Sequence, residues 1–497
     1  MKLIVKWIGC LALCLCMSCA EQVESPEMVD TFPDIYPDYI AVTVPVGIAP
    51  LNFTMKDDCE RIDIRMQGVG GKELHMNDTD VDIDIEEWKQ LLKASKGDSI
   101  IVTVSAKYDG KWKQYKPFPF YVSNYSIDYG LAYRLIAPGY EVYSKMGIYQ
   151  RELGSFQEQA VIENTLIPGM CINCHASNRT NSDRLSLHVR GDHGATLMQL
   201  EGRLEVLDTK TDSTISACVY PYWHPSGDYI AYSVNDTKQA FHVVHNERIE
   251  VMDNASDIVV YHPETHRLLT SPLLCKKESF ETFPVFSADG RKLYFCSAAA
   301  QAMPEDYKKV RYSLCSIDFD SSRGTFGNKI DTLVSASSLE KSVSFPRPSY
   351  DGKYIMYTLS DYGNFSIWHR EADLWLLDLK SGESRNITEV NSPETESYHN
   401  WSSNSHWFVF SSRRDDGLYT RLYLASIDDN GNVSKPFMLP QQYPAEYYTE
   451  LLYSYNVPDF ISKPIRMDKQ EVEKGLMSKE RIKIKYCLLY TSPSPRD

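Results

Sequence analysis

The chain has 497 residues, 43% of them hydrophobic and 24% charged, enough apolar material to bury a core without covalent staples. Its net charge of −15 excludes nucleic acid as an expected partner, because so acidic a surface repels a polyanion. The twelve cysteines are scattered along the chain rather than densely spaced, which excludes a small disulfide scaffold.

The N-terminus comes first. Lys2 and Lys6 lie within and before a short apolar run reaching Leu15, the pattern of an export signal and too short to span a bilayer. Its end, Cys16-Met17-Ser18-Cys19, resembles a lipobox, which implies that 1–18 is a lipoprotein signal peptide and that Cys19 is the lipidated residue. Residues 19–36 follow as an acidic tether carrying Glu21, Glu24, Glu27 and Asp30, a run that resembles the surface-export signal of Bacteroidetes lipoproteins. The expected location is therefore outside the cytoplasm, on the outer membrane through the lipid anchor and facing the periplasm or the cell surface. No later apolar run is long enough to cross a membrane.

Residues 37–125 read as a small immunoglobulin-like β-sandwich, a spacer or docking module. Strand-like runs at Ile40–Val44, Arg61–Met66, Val81–Ile85 and Ile100–Val104 are broken by Gly70-Gly71 and Asp109-Gly110, and Glu86–Ala94 is expected to be helical.

Residues 126–194 read as a linker, and they contain Pro168-Gly-Met-Cys-Ile-Asn-Cys-His-Ala176. On a helical turn Cys171, Cys174 and His175 would face one way and could meet a single porphyrin. Two thiols at this spacing suit covalent attachment of one c-type haem, with His175 donating to its iron as the proximal ligand. An exported protein gains from a haem that cannot dissociate. His188 and His193 are the nearest histidines for a distal position, and Met170 adjoins the first cysteine. Three other readings stay open. A zinc site would need a further ligand from Asp183, His188 or His193. A redox Cys-x-x-Cys would need a thioredoxin-like βαβ frame, and a disulfide between Cys171 and Cys174 would close a small ring.

From 195 to 460 one pattern returns four times: Tyr220-Pro-Tyr-Trp-His-Pro-Ser-Gly227, Phe283-Pro-Val-Phe-Ser-Ala-Asp-Gly290, Phe345-Pro-Arg-Pro-Ser-Tyr-Asp-Gly352 and Tyr398-His-Asn-Trp-Ser-Ser-Asn-Ser405. Each copy runs from an aromatic residue into a tight turn and then into an apolar strand, and a period of roughly 60 residues suits four-stranded blades. The motif resembles the TolB-type propeller repeat, so the expected fold class is all-β, a propeller of five or six blades preceded by the sandwich and the haem-motif segment. Four blades are direct; Arg421–Ile427 with Thr449–Tyr453 suggests a fifth, and Tyr129–Leu153 a sixth. Residues 461–485 read as a C-terminal extension. Residues 486–497 resemble a translated sequencing-adapter read-through and are expected to stand outside the fold.

The order of sandwich, Cys-x-x-Cys-His and propeller resembles a set of Bacteroidetes TolB-like lipoproteins with a cytochrome c motif, and more distantly the hydrazine synthase alpha subunit. The resemblance implies electron transfer or redox sensing, with the propeller as the surface that docks a protein or redox partner. The alternative is a non-enzymatic scaffold that binds protein or glycan and whose cysteines are structural. Catalytic motifs are missing, and no residue is assigned a catalytic role. His224, His242, His245, His262 and His266 read as surface histidines near blade turns, and Trp223, Trp368, Trp375, Trp401 and Trp407 as blade-core residues rather than sugar platforms.

Overall fold

The computed structural model describes residues 21–138, 145–244 and 247–489. The signal peptide, Cys19 and His245 lie outside the described residues.

Among the described residues six sheets, each with four antiparallel strands and two of them extended by a fifth, parallel strand, stand around one axis as a β-propeller. Blade 1 takes Gly130–Ile136, Gly147–Glu152 and Glu158–Glu163, and its innermost strand is Ser454–Ile461 from the far end of the chain. Both ends of the propeller sequence therefore meet in one sheet, which closes the ring. Blade 2 is built from Cys171–Asn178, Asn181–Arg190, Ala195–Leu200 and Arg203–Asp208. The four sequence repeats begin the innermost strands of blades 3 to 6: Cys218–Trp223, Ser279–Phe286, Ser342–Pro348 and Glu396–Trp401.

A bulge explains why the repeat keeps its form. The first residue of each copy has a positive φ, 50° at Tyr220, 51° at Phe283, 49° at Phe345 and 50° at Tyr398, and the pairing register shifts beside each. An extra residue there turns the side chain toward the axis. The serine that follows holds the turn: Ser287 Oγ donates to Asp289 Oδ1 at 2.6 Å and accepts from Lys292 N at 3.0 Å, and Ser349 repeats this with Asp351 and Tyr354. In the copy that lacks glycine, Ser405 takes the left-handed conformation at φ 62° and Ser402 bonds Asn404 instead.

Two further innermost strands carry the same bulge without the aromatic residue. Cys174 has φ 49° and Val457 φ 50°, each beside a register shift. The segment 126–194, read above as a linker, thus supplies three strands of blade 1 and two of blade 2. Its Cys-x-x-Cys-His run is a strand, Cys171–Asn178, rather than a helical turn. Pairing with Asn181–Arg190 overrides the local helical spacing, because an inner strand must satisfy its backbone across the sheet. Arg421–Ile427 proves to hold the third strand of blade 6, Arg421–Ser426, and not a separate blade.

The N-terminal domain is one branched seven-stranded sheet with a separate strand pair, Ile35–Tyr36 with Thr54–Met55. Its helix, Ile85–Ala94, is capped by the Asp84 carboxylate, which accepts from Glu86 N and Glu87 N at 2.9 Å each, and buries Trp88, Leu91 and Leu92. Val81 to Asp84, expected within a strand, leads into that helix. The apolar core of this domain continues into blades 1 and 6. Tyr125 stacks on His406 at 3.5 Å, Trp407 Nε1 donates to Tyr125 O at 3.3 Å, and Tyr39 OH donates to Met438 O at 3.2 Å.

After blade 1 closes, the chain runs outward through helix Lys469–Met477. Ile482–Lys483 then pairs with blade 2's outer strand and Lys485–Leu488 with blade 3's. Tyr486 to Leu488, expected outside the fold, are part of this strap, and 490–497 lie outside the described residues.

Candidate functional site

Around the axis the bulged residues form a ladder of rings. Tyr220 meets Phe283 at 4.6 Å, Phe283 meets Phe345 at 4.1 Å, and Phe345 meets Tyr398 at 4.8 Å between centroids. These four side chains fill the middle of the channel. At blades 1 and 2 the equivalent residues, Val457 and Cys174, are too small to complete the ring, and a funnel opens beside them. Its volume is about 1550 Å³ including the open mouth.

Cys171, Cys174 and His175 all line this funnel, together with Tyr220, Phe345, Trp368 and Tyr398. On a regular strand residues three apart would face opposite sides; the bulge between Asn173 and Ala176 brings the two thiols to one wall. Cys174 is buried, and that burial raises its thiol above the ordinary range. Cys171 is partly exposed, with Sγ 3.7 Å from Arg134 Nη2. Both cysteines are free thiols.

His175 is 3% exposed, and neither ring nitrogen closes a hydrogen bond of normal geometry, although the ring approaches the Ala132 backbone. Burial pushes its pKa down to about 4, so the ring stays neutral with a free lone pair, the form in which imidazole binds a metal. A buried imidazole whose hydrogen bonding is this incomplete costs stability, and a ligand to its nitrogen would recover that cost.

The funnel is cationic despite the acidic chain. Arg134, Arg190, Arg347 and Arg413 line it. Arg413 lies over the Trp368 ring at 3.4 Å and donates to Ile367 O at 2.7 Å, and burial lowers its pKa to about 9. This combination of two thiols, a bare imidazole, aromatic walls and arginines suits a haem, whose propionates need cationic partners.

The other residues singled out from the sequence fall elsewhere. His188 is buried on blade 2, with Nδ1 3.2 Å from Thr196 Oγ1, and does not line the funnel. His193 lies at a turn where its carbonyl accepts from Arg481. Met170 is packed in the core between blades 1 and 2, and Asp183 pairs with Lys463. Among the described residues no three His, Cys, Asp or Glu side chains converge on one point as a zinc site would require. His224 is buried, with Nε2 3.1 Å from Gly290 O. Trp223, Trp368, Trp401 and Trp407 are buried, and a buried ring offers no platform to a sugar. Met146 and Arg134 line the funnel, and nothing in their sequence context marked them.

No family model matches the chain, and no curated protein is similar to it in sequence. Among solved structures it is similar to an oligogalacturonate lyase in complex with manganese at 12% identity and a TM-score of 0.36, covering 62% of this chain and 74% of the other. It is similar to prolyl oligopeptidase B from Galerina marginata at 12% identity and 0.35, covering 61% and 44%. A puromycin-hydrolyzing peptidase from Mycobacterium tuberculosis follows at 10% identity and 0.35, covering 81% and 57%. The chain thus spans less than two thirds of the length of both peptidases, and what its own strand pairing establishes is a six-bladed β-propeller.

Proposed function

We propose that this protein is an exported, lipid-tethered propeller that holds one c-type haem in its axial funnel and works in electron transfer or redox sensing. The observation that carries the reading is the gap in the ring ladder: the two positions without aromatic residues, Cys174 and Val457, flank the cavity lined by Cys171 and by His175, whose ring nitrogens close no hydrogen bond of normal geometry. Cys171 and Cys174 would supply the thioether sulfurs and His175 an axial nitrogen, and a haem bound there would supply a one-electron iron couple. Arg134 and Arg190 would balance propionate charge, while Tyr220, Phe345 and Tyr398 exclude water from the inner wall. The open mouth leaves one edge accessible to a redox partner. The basic and apolar N-terminus ending at Cys19 supports export and lipidation.

The test is expression of the mature chain in a host with haem c maturation. The expected product is coloured and keeps its reduced α-band after denaturation. Replacing both Cys171 and Cys174 with alanine should abolish covalent attachment, and His175→Ala should keep attachment but change the Soret band. A colourless product from a host that loads a control cytochrome refutes the reading.

A further inference from the structure

Below the ring ladder the channel opens again on the face that carries the blade turns. This second chamber has a volume of about 530 Å³ including its mouth. Its walls are Tyr222, Trp223 and Tyr350, and its polar groups include Arg179, Arg347 and Asp459.

Both guanidinium groups lie over aromatic rings. Arg347 lies over the Tyr222 ring at 5.6 Å and Arg179 over the Tyr350 ring at 5.3 Å. Arg347 Nη1 donates to Pro346 O at 3.0 Å and Arg179 Nη2 to Ala288 O at 2.9 Å. Neither forms an ion pair among the described residues, and desolvation lowers the pKa of Arg347. Asp459 attracts Arg347 but makes no ion pair with either guanidinium among the described residues. Its oxygens are taken by Ser177 N and Asn400 Nδ2 at 2.8 Å each, and burial pushes its pKa up to about 7. Ser177 Oγ is a buried hydroxyl without a hydrogen bond of normal geometry on the same wall.

A pair of arginines over aromatic rings, each with one hydrogen bond to a backbone carbonyl and no ion pair, has further N–H groups for a planar anion, and a carboxylate accepts two parallel bonds from such a fork. The acidic Asp459 beside them disfavours a doubly charged ligand, and the aromatic walls favour a small apolar body. We infer that this chamber is a second binding site, which adjoins the thiol-lined funnel and shares Arg347 and His175 with its lining, and that it takes small organic monocarboxylates through Arg179 and Arg347. Its anion-binding groups include no thiol, and Arg179 lines this chamber without lining the funnel.

The experiment is calorimetric titration of the full mature chain with sodium acetate, benzoate and phenylacetate, with benzamide as the neutral isostere of benzoate. It is repeated on the Cys171→Ala/Cys174→Ala protein so that haem content does not enter. At least one carboxylate is expected to bind and benzamide not to. Arg347→Gln and Arg179→Gln should each weaken binding by about tenfold or more, with circular dichroism and thermal midpoint as in the parent. Arg347→Lys, which keeps the charge and loses the fork, should also weaken it. If Arg347→Gln fails to fold, Arg179→Gln decides alone. Binding of none of the three acids, equal binding of benzamide, or full affinity in a folded Arg179→Gln protein overturns the inference.

Discussion

Replacing Asp459 with asparagine measures how strongly the channel desolvates a charge. Asp459 is 5% exposed on the strand that closes the ring, and burial outweighs its two hydrogen bonds and the attraction of Arg347, leaving its pKa at about 7. In the unfolded chain a carboxyl titrates near ~3.9. The folded state therefore holds a proton that the unfolded state has already lost, so the stability linked to this group is full below about pH 4 and is lost as pH rises through about 7. Asparagine cannot titrate. The stability of the parent relative to Asp459→Asn should thus fall by about 1.4 kcal/mol per pH unit, or roughly 3 kcal/mol between about pH 5 and about pH 7, and level off above that. Any hydrogen bond spoiled by the amide adds a constant offset and leaves the slope intact. Urea unfolding of both proteins followed by tryptophan fluorescence at several pH values reads the difference directly. A difference that stays flat across this range refutes the claim that the channel wall is dry around Asp459.

Other outcomes follow from the same geometry. Val457→Phe restores a ring at a position already bulged, so it should fold but load less haem, read as the haem-to-protein ratio after expression with maturation. Gly290 and Gly382 both have positive φ, 74° and 76°, but a Cβ at Gly290 would lie 2.1 Å from His224 Nε2 whereas at Gly382 nothing lies within 4 Å. Gly382→Ala should therefore cost only the conformational penalty of about 1–2 kcal/mol, and Gly290→Ala distinctly more, as compared by thermal midpoints. Glu396 is fully buried and accepts from Ser392 Oγ at 2.6 Å, Ser412 Oγ at 2.7 Å and Arg414 Nη2 at 3.0 Å. Glu396→Ala leaves that arginine unpaired and should destabilise by about 3–5 kcal/mol, with Arg414→Met in the same chain recovering part of the loss.

The propeller was legible because its repeat is a local device. An aromatic residue at a bulge and a serine that ties the next turn must recur wherever an inner strand begins, and at Tyr220, Phe283, Phe345 and Tyr398 they do so in recognisable residues. The blade at Cys174 was missed because its copy had exchanged the aromatic for cysteine and the glycine turn for Arg179 at φ 55°. The cytochrome-like spacing suggests a helical turn there instead. One faint signal was present: Cys174-His175 aligns with Tyr398-His399, the copy that had also lost its proline. The strand Ser454–Ile461 left no mark of its kind either, since Val457-Pro458 preserves only the proline, and its partner Gly130–Ile136 lies more than three hundred residues away.

The amino-acid order alone determined the all-β class, the repeated turn chemistry and the identity of the thiols and imidazole, because each of these rests on contacts within a few residues. The tertiary structure decided the blade count, the closure of the ring and the meeting of Cys171, Cys174 and His175 with Arg134 and Arg413 in one cavity. Those depend on where six bulges point around a shared axis, and a cavity exists only as the difference between side chains supplied by separate blades.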